Sequence, residues 1–397
     1  MSIVCTPKGF KTIVLLALIW PAAACERQDP VQPKTESPAT KTAQAPAAAP
    51  AENGRVTPQV SYADVVDRVG PGVVTIRSER RLRAPRQFPF SNDPLLRDFF
   101  GGLFGSPTQG REPRQMGIGS GVIVRSDGYI LTNHHVVDGA QEIRIEFTDR
   151  RGFSAKLIGS DPPSDLAVLK IDAKDLTTLT MGNSDEVRVG DIVLAVGNPL
   201  GIGQTVTAGI ISAKGRSTGL SDGSFEDFLQ TDAPINQGNS GGALVNSSGL
   251  LVGINSQIVS PSGGNIGIGF AIPSNMARMV MEQLINSGKV ERGHLGVGIQ
   301  PVTPEIAAKL SLPETRGVVV ENVVPDSAAA RAGIRQGDVI LAFSGQPVTD
   351  GNTLRNQVAA TRPGTQADLT VLRDGREQKI TVTLGEYKPP AAAQRGR

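Results

Sequence analysis

Short runs of β-branched and aliphatic residues, separated by Gly, Asp and Asn, fill the chain from about residue 61 to 273. Val73–Arg77, Gly121–Arg125, Tyr129–Thr132, Glu142–Phe147 and Leu166–Ile171 each have the length and composition of a strand. Ser126-Asp127-Gly128 between two of them reads as a tight hairpin turn. Ile192–Val196, Thr205–Ile211, Leu250–Ile254 and Ile266–Ile272 continue the series. So many strands without intervening helical periodicity predict closed antiparallel barrels. The period then changes: Ser274 is expected to cap a helix carrying Met276, Met279, Val280 and Leu284, with Gly288 ending it. That helix closes a first domain expected over 61–288.

Residues 78–116 break the strand pattern. Four arginines (Arg80, Arg81, Arg83, Arg86) are followed by Phe88, Phe90, Phe99, Phe100 and Phe104. A loop this long is uncommon and is usually functional or without fixed structure. Exposed Phe needs a surface to cover, so the segment is expected to dock on another subunit or on substrate; a loop without partner is the alternative. The N-terminus is an address. Lys8 and Lys11 precede the apolar run Ile13–Trp20 and then Pro21-Ala-Ala-Ala24-Cys25, the layout of an export signal over 1–24. The run is well short of the ~20 residues that span a bilayer. Cys25 after three alanines also resembles a lipoprotein cleavage box; ordinary cleavage after Ala24 is the alternative, and both export the chain. Residues 25–60, rich in Pro and Ala, read as a solvated linker, and 387–397 as a disordered tail.

Composition removes several kinds of chemistry. Lys+Arg 40 against Asp+Glu 38 leaves a charge of +2, no field suited to nucleic acid. Cys5 and Cys25 both fall in the leader region, so the folded body has neither a disulfide nor a thiol nucleophile. The three histidines, His134, His135 and His294, form no zinc-ligand spacing, and no metal or other cofactor is expected.

Gly238-Asn239-Ser240-Gly241-Gly242 is the sharpest local signal. A nucleophilic serine needs an exposed hydroxyl and main-chain N–H groups aimed at the developing oxyanion, and flanking glycines let the chain turn tightly enough to offer both. The N–H groups of Gly238 and Ser240 are the candidate donors. By itself the motif could be only a turn. Thr132-Asn-His-His-Val-Val137 after one strand and Ser164-Asp165-Leu-Ala-Val-Leu169 opening another supply what else is needed: an imidazole to take the hydroxyl proton and a buried carboxylate to orient it. His134 or His135 as a surface residue and Asp165 as a turn residue are the bland readings. His, Asp, Ser is also the chain order of chymotrypsin.

With TNHHVV, SDLAVL, GNPLG (197–201), LQTDAPINQGNSGGAL (229–244) and GIGFAIPS (267–274) the chain resembles the HtrA/Deg serine proteases of the bacterial periplasm over about 61–386. The resemblance implies a mostly β fold, a chymotrypsin-like double β-barrel protease domain followed by a PDZ domain. It maps the base to His135, the histidine followed by Val-Val, and completes the triad with Asp165 and Ser240. The family commonly has Asn where this chain has His134. In chymotrypsin-like folds the residue six before the serine lies at the base of the specificity pocket; here it is Pro234, followed by Ile235. Without an acidic residue there, a substrate Lys or Arg would be desolvated unpaired, so cleavage after Val, Ala or Ile is expected. Such residues are normally buried, so unfolded polypeptides are the expected substrates.

Residues 292–386 resemble a PDZ domain: His294-Leu295-Gly296-Val297 matches its carboxylate-binding loop, and 325–340 its most recognisable segment. A C-terminal peptide would add there as a strand beside a helix near 352–360. Family members assemble from trimers, so a homo-trimer or a larger oligomer is implied. The expected function is an exported endopeptidase degrading unfolded or misfolded envelope proteins. Two alternatives stand beside it: a PDZ-gated sensor protease that cuts one membrane regulator, and a non-catalytic chaperone or scaffold.

Overall fold

The computed structural model describes residues 61–81, 114–198, 203–219, 225–236, 238–258, 265–310, 312 and 314–388. The leader, the linker, residues 82–113 of the insertion and 389–397 of the tail lie outside them.

After a short helix α1 (Ala63–Val69), the first seven strands form one antiparallel sheet. They are β1 (Val73–Arg81), β2 (Arg114–Ile123), β3 (Tyr129–Thr132), β4 (Glu142–Glu146), β5 (Gly152–Ser154), β6 (Lys156–Asp161) and β7 (Leu166–Lys170), with α2 (His134–Val137) between β3 and β4. The order is β5-β4-β1-β2-β3-β7-β6. The alternation of β4 puts Ile143 and Ile145 inside and its charges outside, whereas Leu166–Leu169 of β7 are buried throughout. The next six strands close into a barrel, β10-β13-β12-β11-β8-β9. These are β8 (Ile192–Gly197), β9 (Thr205–Arg216), β10 (Phe228–Thr231), β11 (Ala243–Asn246), β12 (Leu251–Ile258) and β13 (Gly269–Pro273).

Helix α3 (Ser274–Ser287) lies against the junction of the two sheets. Ala277, Val280, Met281 and Leu284, one stripe at i, i+3, i+4 and i+7, are buried in a core shared with Leu166, Val168 and Ile254. Val280, Met281 and Leu284, removed from water, contribute about 1.5–3 kcal/mol each. Gly288 ends the helix as expected, returning its N–H to the Leu284 oxygen at 3.0 Å. Ser274 corrects the sequence expectation: it is the first helical residue rather than the cap, and its hydroxyl donates to the Gly182 carbonyl at 3.0 Å. The hydroxyl is oriented toward a tertiary acceptor rather than placed to accept from the backbone N–H groups of the first turn.

The remaining strands are β14 (Gly293–His294), β15 (Val297–Pro301), β16 (Val318–Val323), β17 (Val339–Phe343), β18 (Gln346–Pro347), β19 (Gln366–Arg373), β20 (Arg376–Thr383) and β21 (Gly385–Glu386). They form a sheet ordered β15-β16-β17-β19-β20, with β18 on β17, and the pair β14-β21. Helices α4 (Pro304–Lys309), α5 (Ala328–Arg331) and α6 (Gly351–Ala360) accompany them, and the Asp350 carboxylate caps α6 by accepting from Thr353 N at 2.9 Å. Strand β15 stands at the sheet edge with α6 beside it. Tyr387, read from sequence as the start of a loose tail, is held: its N–H donates to Arg292 O at 2.9 Å and its ring meets Phe225 edge-on at 5.2 Å.

Candidate active site

The pairing of β3 with β7 sets Thr132 opposite Ala167. His135 follows Thr132 by three residues and Asp165 precedes Ala167 by two, so the register brings both to the same end of the pair. Val136 and Val137, both buried, anchor the turn of α2 that carries His135. His135 Nδ1 lies 2.9 and 2.8 Å from the two Asp165 oxygens, and the His135 N–H donates to Oδ1 at 3.1 Å. Asn133 Nδ2 and the His134 N–H both donate to the Asp165 carbonyl at 3.0 Å. Burial alone would push the Asp165 carboxyl up, but the His135 ring and its hydrogen bonds outweigh it and hold the group below the usual carboxylate range. His134 points elsewhere, with Nε2 3.6 Å from Asp138 Oδ1. Burial lowers its basicity, against the pull of Asp138 and Asp165.

The Gly238–Gly242 loop joins β10 to β11 and is tied to β2 across the junction. Ser120 N donates to Ser240 O at 2.8 Å, and Ser120 Oγ to Gly238 O at 2.6 Å. The loop also threads β12, Gly241 N donating to Asn255 O at 2.8 Å and Asn255 N to Gly242 O at 2.9 Å. Gly241 has φ +80°, and a Cβ there would stand 2.2 Å from the Ser120 oxygen, so neither the conformation nor the space admits a side chain. Gly238, at φ +99°, is likewise in glycine territory.

Ser240 Oγ donates to Ser256 O at 2.9 Å, and Ser256 Oγ donates to Asp165 Oδ2 at 2.9 Å. Hydroxyl and carboxylate are thus joined through one residue of β12, while the link from Ser240 Oγ to the His135 ring is not made in this rotamer. Ser256 and Ser120 were invisible to sequence reasoning. The only trace of Ser256 is the polar run Asn255-Ser256-Gln257 inside a strand otherwise apolar, its first two residues buried. That pattern says a buried partner exists without saying which.

Pro234 and Ile235 fall on opposite faces of their segment. Pro234 is exposed and its carbonyl accepts from Thr207 Oγ1 at 2.7 Å. Ile235 is buried in the barrel core beside Gly269, and its carbonyl accepts from Asn265 Nδ2 at 3.1 Å. In the His294–Val297 loop the carbonyls of Leu295 and Gly296 accept from Ala329 N and Val324 N, both at 2.9 Å. Leu295 is buried among the PDZ-like strands, the His294 ring lies 5.9 Å from that of Tyr387 at a tilt of 59°, and Val297 opens edge strand β15. Partial burial lowers the basicity of His294.

Comparison with known proteins follows the same division. The model of a trypsin-like peptidase domain matches residues 119–254, and that of a PDZ domain matches 293–384. Over 334 residues the chain is 46% identical to a probable periplasmic serine endoprotease, DegP-like, of Chlamydia muridarum, covering 83% of this chain and 66% of that protein. Over 343 residues it is 46% identical to the periplasmic pH-dependent serine endoprotease DegQ of Escherichia coli, covering 86% of this chain and 74% of that one. It spans about two thirds to three quarters of these relatives' length. Among solved structures, the HtrA-type protease AlgW with tripeptide is similar at 46% identity and TM-score 0.67, covering 83% of this chain and 99% of the other.

Proposed function

The chain belongs to the DegP/DegQ/HtrA family of periplasmic serine endoproteases, and from that premise we propose that it cleaves unfolded polypeptides of the cell envelope through Ser240, His135 and Asp165. One observation carries the reading: His135 is hydrogen-bonded to Asp165 at 2.8 Å, and Ser256 joins that carboxylate to Ser240.

In this reading the Ser240 hydroxyl, turned toward the ring, attacks the scissile carbonyl carbon as His135 Nε2 takes its proton. Asp165 steadies the imidazolium from the Nδ1 side. The negative oxygen of the tetrahedral intermediate is received by the N–H groups of Gly238 and Ser240; removing one such donor costs roughly 3 kcal/mol in comparable enzymes. The imidazolium then protonates the leaving amine, and water, deprotonated by the same ring, hydrolyses the acyl-serine ester. Exposed Pro234 would supply an uncharged pocket wall suited to small aliphatic side chains, while Ile235, turned into the barrel core, would back it from behind. The loop His294–Val297 and edge strand β15 suit a C-terminal peptide, which would add between β15 and α6. Assembly as a homo-trimer or larger, and a lipid on Cys25 tethering the exported chain, extend the reading.

The deciding comparison is wild type against Ser240→Ala on reduced casein, with the cut sites mapped. Degradation only by the wild type, after Val, Ala or Ile, is the expected result. Casein loss with Ser240→Ala would overturn the mechanism, and cuts mainly after Lys or Arg would overturn the pocket assignment. The PDZ-gated sensor reading is supported by the PDZ-domain match over residues 293–384 and by strand β15 lying at a sheet edge, where a peptide could add. Under it, a free C-terminal peptide accelerates cleavage of a short reporter substrate, whereas an unchanged rate argues for the degradative role.

A further inference from the structure

Asp165 is held by more than its own strand. The chain approaches it through one 3-10 turn, Pro162–Ser164, whose cap is the Asp161 carboxylate. Asp161 Oδ2 accepts from Ser164 N at 3.2 Å and from the Ser164 hydroxyl. At the next residue the backbone enters the left-handed region, φ +55° at Asp165, a conformation uncommon among residues with a side chain but more accessible to Asp than to most.

The turn is anchored from far along the chain. Arg292, 131 residues from Asp161, places its fork on that carboxylate: Nη1 lies 2.8 Å from Oδ1, and Nη2 bonds Oδ2. Both side chains are almost wholly buried, 8% and 7% exposed. The guanidinium carbon sits 4.6 Å over the Phe225 ring, and Phe225 N donates to Pro163 O at 2.8 Å. The turn is therefore gripped by its capping carboxylate and by its main chain, and both grips meet at Arg292. Tyr387 closes the cluster by binding the Arg292 carbonyl and packing on Phe225. Arg292 immediately precedes the segment matched to a PDZ domain, whereas the turn it holds lies within the peptidase match.

We propose that Arg292 is a positioning residue for catalysis: acting through Asp161, it fixes the turn that presents the Asp165 carboxylate to His135. The inference rests on Asp165 being the acid of the triad. A planar guanidinium engages both carboxylate oxygens at once and so fixes the carboxylate's orientation; an ammonium supplies the charge without that constraint. A positioning role differs from simple stabilisation in its dependence on Asp165. If Arg292 matters to the chemistry only through Asp165, its loss has nothing further to disturb once Asp165 has been disabled.

The test uses the full chain as wild type, Arg292→Lys, Asp165→Asn and the double variant, with Asp161→Asn as an independent probe of the same link. The readouts are kcat and KM on a short peptide substrate and the rate of inactivation by a fluorophosphonate, which reports the reactivity of Ser240 as His135 and Asp165 set it. The expected result is a kcat lower by about tenfold in Arg292→Lys and in Asp161→Asn with KM within about twofold, below the roughly hundredfold that a full 1 Å misplacement of a catalytic group can cost. In the Asp165→Asn background, Arg292→Lys is expected to change the inactivation rate by less than about twofold. Equal losses in both backgrounds, or wild-type kcat in both Arg292→Lys and Asp161→Asn, would overturn the inference while leaving the triad standing. Wild-type activity in Asp165→Asn alone would overturn the triad reading itself.

Discussion

Helix α6 meets the barrel at one main-chain oxygen. Asn352 Nδ2 and Asn356 Nδ2 both donate to Glu226 O, at 2.8 and 2.6 Å. The next residue, Asp227, is half-buried beside this contact. Burial pushes its carboxyl up to about 6, the negative charges of Asp185 and Asp350 push the same way, and Lys214 opposes them. Asp350 is itself the cap of α6. Moving a carboxyl from 3.8 to about 6 corresponds to about 3 kcal/mol of penalty on the charged form. Residual contact with water reduces this to about 1–2 kcal/mol in practice.

The sign follows from linkage. Between pH 3.8 and about 6 the native chain holds this proton more tightly than the unfolded chain does, so stability falls as pH rises through that window. Above it the penalty is fully present. Asp227→Asn removes the charge and keeps the shape, so the variant is expected to match wild type near pH 4 and to exceed it by about 1–2 kcal/mol at pH 7.5. Denaturant unfolding followed by far-UV circular dichroism at both pH values measures the difference, since the single tryptophan, Trp20, lies in the leader. An advantage independent of pH, or a variant weaker than wild type at pH 7.5, would refute the electrostatic account of this contact.

Three further outcomes are expected. Ser256→Ala removes the hydroxyl that donates to Asp165 Oδ2; at about 1.5–3 kcal/mol for a bond to a charged group, fluorophosphonate labelling of Ser240 is expected to slow by roughly ten- to a hundredfold without loss of fold. Gly241→Ala forces a Cβ to 2.2 Å from Ser120 O at φ +80°, and calorimetry is expected to record a loss of about 2 kcal/mol or more, together with lost labelling. His134→Asn acts on pH dependence. Burial lowers the basicity of His134, so the unfolded chain takes up its proton first as pH falls below 6.5, and wild-type stability drops there. The Asn variant is expected to lose less stability between pH 7.5 and 5, which thermal unfolding at the two values compares.

The elements legible in the sequence were those whose signal is local. Tyr129–Thr132 was read to the residue, and the helix ending at Gly288 was placed from its apolar stripe and its glycine. Strands β5, β6, β10 and β11 were missed because they are short or carry Gly, Ser and Asp, and their extended backbone is dictated by neighbouring ladders. Tyr387 was assigned to the tail because nothing in its neighbours along the chain announces the Phe225 ring that receives it.

For the site, residue types and their order were enough to identify a nucleophile, a base and an acid, because acyl-transfer chemistry admits few side chains in those roles and glycine is needed where the loop doubles back. The identity of the supporting groups was decided in three dimensions. Ser120, Ser256 and Arg292 reach their partners across separations of 118, 91 and 131 residues. A serine or an arginine looks alike in sequence whether it faces water or a buried carboxylate; only the packing that removes the water gives its hydrogen bond a fixed partner and a direction.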